Sequence, residues 1–127
     1  MKKFFLSLFA ITLTFVGVSS VFARISSSAT VELNMSSRDV EMKNLTGNTH
    51  AGMVKAINPP ADSMTINWKL YRKKIIGEDQ VGSGFGAELN DMVWHTLGQV
   101  VHSTDGNYRH NFYANGYYYG NIQGLNY

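Results

Sequence analysis

Apolar and polar residues alternate with a period of two over most of the chain beyond residue 30. Val31, Leu33 and Met35 fall on one face, with Thr30, Glu32 and Asn34 on the other. That is the spacing of a half-buried strand. Val40 and Met42 resume it, with Asp39, Glu41 and Lys43 turned away. Leu45-Thr46-Gly47-Asn48 reads as a turn. Met53 to Ile57 is a short apolar strand that Asn58-Pro59-Pro60 must stop, because consecutive prolines cannot continue a ladder. The clearest strand comes next. Met64, Ile66, Trp68 and Leu70 face one way, and Thr65, Asn67, Lys69 and Tyr71 the other. Such regular alternation predicts a core face that includes Trp68.

Beyond the basic cluster Arg72-Lys73-Lys74, Ile75 and Ile76 restart a strand that Gly77-Glu78-Asp79 bends. Gly82, Gly84 and Gly86 around Ser83 and Phe85 read as a mobile loop. Met92 to Val101 carries another strand, with Gly98 as a bulge or twist. Asp105-Gly106 and Asn115-Gly116 are dipeptides that favour type I′ hairpin turns. A turn at Asn115-Gly116 would pair Phe112 with Tyr119 and Tyr113 with Tyr118. It would put Tyr108, Phe112, Tyr117 and Tyr119 on a buried face, and Tyr113, Tyr118, Arg109 and Ile122 on the opposite one.

No helical periodicity or internal repeat is visible in residues 24–127. Short strands at roughly ten-residue spacing predict an all-β fold. The expected architecture is a small antiparallel β-sandwich, immunoglobulin-like, with a small β-barrel as the second choice. Residues 30–127 read as a single β domain and residues 24–29, rich in serine, as a flexible lead-in.

The amino terminus has a different character. Lys2 and Lys3 precede an apolar run from Phe4 to Val18, and Val21-Phe22-Ala23 follows as a cleavage-type site. This three-part layout predicts a cleaved secretory signal over residues 1–23. The run is shorter than the roughly 20 apolar residues that span a bilayer. The expected location is therefore secreted, in the periplasm or at the cell wall according to the host. Arg24 stands where a lipoprotein would carry its cysteine.

Charge follows from this division. The whole chain has a net charge of +2, and Lys2 and Lys3 account for it. A neutral mature chain lacks the positive footprint of a nucleic-acid binder, so no nucleic-acid partner is expected. No second run of spanning length follows, so no transmembrane segment is expected in the mature chain. The chain has no cysteine, which removes thiol chemistry, thiolate metal sites and disulfides.

Candidate chemistry is sparse. Gly82-Ser83-Gly84-Phe85-Gly86 lacks the Lys-Ser/Thr ending of a phosphate loop. His50, His95, His102 and His110 show no metal-ligand spacing and read as surface or rim residues. Glu78, Asp79, Glu88 and Asp91 read as solvated charges, and no Gly-x-Ser-x-Gly elbow is present. No catalytic, cofactor-binding or metal-ligating residue is assigned, and the chain is read as a non-enzyme. Asn34-Met35-Ser36 and Asn44-Leu45-Thr46 match the N-glycosylation pattern, which matters only in a eukaryotic host.

The unusual feature is aromatic. Six of the seven tyrosines lie between Tyr108 and Tyr127. Tyrosine offers a large, rigid, amphipathic contact. Arg109, Tyr113 and Tyr118 are accordingly the candidate contact patch, for an unknown cell-surface polymer, glycan or protein. In its signal and in its Gly/Tyr/Asn-rich C-terminal third, the cysteine-free chain is similar in general character to the lactococcin-type bacteriocins. That resemblance implies an alternative role as a secreted antimicrobial or toxin-like protein acting on other cells. It transfers no individual residue.

Overall fold

A computed structural model describes residues 25–57, 64–87, 91–104 and 106–127. The signal segment, Arg24, the Pro59-Pro60 break, Glu88 and Asp105 lie outside the described residues. Six strands make up the fold: β1 (Ile25–Met42), β2 (Thr49–Ala56), β3 (Ile66–Lys73), β4 (Glu78–Gly86), β5 (His95–Val101) and β6 (Tyr108–Asn126). No helix occurs among the described residues, and so none long and apolar enough to cross a membrane.

β6 organises the molecule. One of its edges pairs with β1 along nearly its whole length. On the other edge, Tyr108–Ala114 pairs with β3 and Gly120–Asn126 with β2. β4 adds to β3, and β5 to β2, all antiparallel. Near its middle the β1–β6 ribbon carries a bulge. Asn34 pairs with Tyr117 but Ser36 with Ala114, so Asn115 and Gly116 together oppose Met35. Met35 adopts φ 50°, in the left-handed region. A bulge sharpens local twist and bend, and the sheet doubles over there.

The doubling brings distant parts face to face. Trp68 on β3 lies against Gly52 on β2 and Gly98 on β5. His110, in the first half of β6, lies against Gly124 in the second. The outer strands also meet, since a Cβ on Gly84 of β4 would stand 2.2 Å from the Leu97 carbonyl oxygen on β5. The result is one antiparallel sheet nearly closed into a barrel. The all-β class is as expected, and the architecture is the barrel rather than the immunoglobulin-like sandwich. A single strand shared by both halves makes them one sheet.

The core holds Val31, Leu33, Val40, Val54, Ile66, Trp68, Leu70, Phe112, Tyr118 and Ile122, all buried. The Met64–Leu70 alternation is realised as read, with Trp68 fully buried. In β1 the buried positions switch from Val31 and Leu33 to Val40 and Met42, a change of parity that the Met35 bulge explains.

Three local readings are corrected. Ile25–Ala29 is not a flexible lead-in: it pairs with Asn126–Ile122, and its small serines suit an exposed outer strand. Gly82–Gly86 is not a loop but the end of β4, where the absent side chains admit the β5 backbone. Ile75 and Ile76 are not strand; they form the exposed turn between β3 and β4.

Candidate functional site

Asn115-Gly116 is not a hairpin turn. β6 continues through it without reversing direction, because β1 pairs with both flanks. A hairpin would swap the parity of the second arm, whereas a continuous strand keeps it. Tyr118 therefore shares the inward face with Tyr108 and Phe112 and is fully buried. Its hydroxyl donates to the Asn121 carbonyl at 2.8 Å, and burial raises its pKa. Tyr117 and Tyr119, expected inside, are 43% and 37% exposed.

The proposed patch of Arg109, Tyr113 and Tyr118 is thus divided. Arg109 and Tyr113 share the outer face of the first half of β6, and Tyr118 is core. Arg109 is also committed to internal partners. Its Nη2 and Nε donate to the two Glu78 oxygens at 2.7 and 3.0 Å, and its Nη1 to Asp39 at 2.8 Å. Its guanidinium sits 4.3 Å from the Tyr71 ring centroid. The bidentate contact holds the Glu78 carboxyl below its ordinary range, so Glu78 is not a freely solvated charge. Arg109 clamps β1, β6 and β4 together across the face.

The rest of that face is regular. Asn67 on β3 pairs with Tyr113 on β6 and with Phe85 on β4. Directly paired residues in an antiparallel sheet point the same way, so Tyr113, Asn67 and Phe85 form one outward row. Two strand spacings separate the rings, about 10 Å. Tyr113 is half-buried and Phe85 is 66% exposed. The next row carries Asn111, Lys69 and Ser83, and Asn111 donates to Asp39 at 2.8 Å. The alternation of Met64–Tyr71 had already turned Asn67 and Lys69 outward. Phe85 was missed because its glycine neighbours imitate a loop.

The histidines divide as well. His50 and His110 are fully buried, not at the rim as expected. Trp68 Nε1 donates to His110 Nδ1 at 2.9 Å, which puts the imidazole proton on Nε2. That Nε2 is buried with no hydrogen-bond partner. Burial pushes the His110 pKa down to about 3 and lowers that of His50 too. The His50 and Tyr108 rings lie 4.4 Å apart between centroids, tilted by 30°. His95 is outside, paired with Asp91 at 2.6 Å. Among the described residues no three His, Asp or Glu side chains are grouped to hold a metal ion.

The sequence matches no known family model and no curated protein.

Proposed function

We propose that this chain is an exported, non-enzymatic interaction module that binds an extended cell-wall glycan on the outer face of β6, β3 and β4. The observation that carries this reading is the row Tyr113–Asn67–Phe85. Two aromatic rings flank an amide on the outer surface of the sheet. Pyranose rings present an apolar C–H face that packs on aromatic rings, while their hydroxyls seek amide partners. The ring separation, about 10 Å, is close to the length of a disaccharide. One sugar can cover each ring while the unit between them meets Asn67. The Arg109 clamp keeps the face in shape.

The test is co-sedimentation of the purified protein with insoluble wall material and purified polysaccharides. Phe85→Ala with Tyr113→Ala should abolish binding and leave the fold intact, since both side chains lie outside the core. Unchanged binding by the folded double variant would remove the face from consideration.

A second reading, a bacteriocin-like protein acting on other cells, draws support from the β3–β4 turn. Ile75 and Ile76 are fully or almost fully exposed there, beside Arg72, Lys73 and Lys74. Growth inhibition by the purified protein, lost on Ile75→Ser with Ile76→Ser, would favour it.

A further inference from the structure

We infer that the glycan this face takes is acidic, a polymer of pyranose rings carrying carboxylates, with Lys69 as the charge-reading residue. The inference rests on the glycan reading above and adds the chemical class of the ligand. Lys69 stands in the centre of the face, on β3 between Asn111 of β6 and Ser83 of β4. Its neighbours on both strands are neutral. The other cations around it have carboxylates in contact: Arg109 holds Glu78 and Asp39, Lys73 holds Glu41, and Lys74 holds Asp79. Among the described outward-facing cations of β3, β4 and β6, Lys69 is the one with no carboxylate partner. The nearest acid along its own row, Asp39, already accepts from Arg109 and Asn111 at 2.8 Å each.

Lys69 is two residues along β3 from Asn67. That offset is about 7 Å at the strand rise. A sugar chain lying across the strands on Tyr113 and Phe85 therefore runs parallel to the Asn111–Lys69–Ser83 row. Ring substituents projecting sideways from it reach the ammonium and the two polar groups beside it. A carboxylate there gains a charge-assisted hydrogen bond. A chain of polyol phosphates would also offer negative charge, but it has no rings to cover Tyr113 and Phe85. The aromatic row and the unpaired cation together select a carboxylated glycan.

Affinity electrophoresis of the purified protein tests this with two polymers sharing one backbone, carboxymethylcellulose and hydroxyethylcellulose, and with a poly(glycerol phosphate). The carboxylated polymer should retard the protein at about tenfold lower concentration than the neutral one, the scale of one hydrogen bond to a charged group. Added salt should narrow the difference. Lys69→Gln should reduce carboxymethylcellulose binding to the neutral level, and Lys69→Arg should preserve it. Lys69 is exposed, so both variants fold. Equal retardation by both celluloses, unmoved by Lys69→Gln, would overturn the acidic assignment and leave the glycan reading standing. No retardation by either cellulose would remove both. Binding of the poly(glycerol phosphate) alone, indifferent to Phe85→Ala, would replace a sugar ligand by a phosphate one.

Discussion

The indole N–H of Trp68 donates to Nδ1 of His110 at 2.9 Å, and both side chains are fully buried. This is a side-chain hydrogen bond in the middle of the core, between β3 and the first half of β6. The two rings also lie 5.8 Å apart between centroids. Trp68 thus joins three roles: apolar filler, wall of the Gly52 and Gly98 contacts, and partner of an interior histidine. Trp68→Ala should cost about 3–5 kcal/mol through the cavity alone. Trp68→Phe keeps most of the apolar area but leaves Nδ1 of His110 without its donor, and should cost about 1–3 kcal/mol. Urea midpoints of the two variants give both values.

Acid should weaken the protein well before its carboxylates titrate. His110 is held neutral, with its pKa near 3, while an unfolded chain gives histidine its ordinary value of about 6.5. Below that value the unfolded chain takes up a proton that the folded chain refuses. Stability is therefore complete above pH 6.5 and falls as the pH drops towards 3, by up to about 1.4 kcal/mol per pH unit. His50 is shifted in the same direction and adds to the slope. Denaturation midpoints between pH 7.5 and pH 4.5 should decrease steadily, and His110→Gln should flatten the curve. A midpoint constant over that range would show that His110 titrates normally.

The seam between β4 and β5 depends on a missing side chain. A methyl group on Gly84 would stand 2.2 Å from the Leu97 carbonyl oxygen, a backbone atom that cannot rotate aside. Gly84→Ala should destabilise by about 1–3 kcal/mol, the usual cost of overpacking. Hydrogen exchange should quicken in β4 and β5, with β1 and β6 still protected. Uniform protection would mean that the seam closes loosely.

Asn126 ties the β1–β2 connection to the end of the chain. Its side-chain oxygen accepts from the amides of Thr46 and Gly47 at 3.1 and 2.9 Å, and its amide donates to the Gly47 carbonyl at 2.6 Å. The residue is fully buried. Asn126→Ala should cost about 1–3 kcal/mol for each donor left unsatisfied, and Asn126→Asp at least as much, because it keeps both acceptor contacts but sets a buried carboxylate oxygen against the Gly47 carbonyl. Thermal melts of the two variants separate these outcomes.

Legibility in the sequence tracked how local each determinant is. The Met64–Leu70 face was readable because alternation is written residue by residue. It also placed Asn67 and Lys69 outward, the β3 members of the candidate face. β6 was misread because Asn115-Gly116 carries a strong local turn signal. Pairing with β1 on one edge, and with β3 and β2 on the other, outweighs one dipeptide preference. The glycines of β4 were ambiguous for a similar reason. Glycine marks both a free loop and a close backbone approach, and only the position of β5 decides between them. Nothing beside His110 announces burial: the groups that enclose it, Trp68 and Gly124, lie 42 and 14 positions away in the sequence.

β6 is the strand to which β1, β2 and β3 all attach, and it follows all three in sequence. On the ribosome, β1 waits with its hydrogen-bonding groups unmatched until the nineteen residues of β6 follow it out. No earlier segment can close the barrel, and pairings so distant in sequence form slowly. The β3–β4 hairpin can form on its own, but the sheet as a whole takes shape only once β6 has emerged, so its assembly is a late, concerted event rather than a strand-by-strand one.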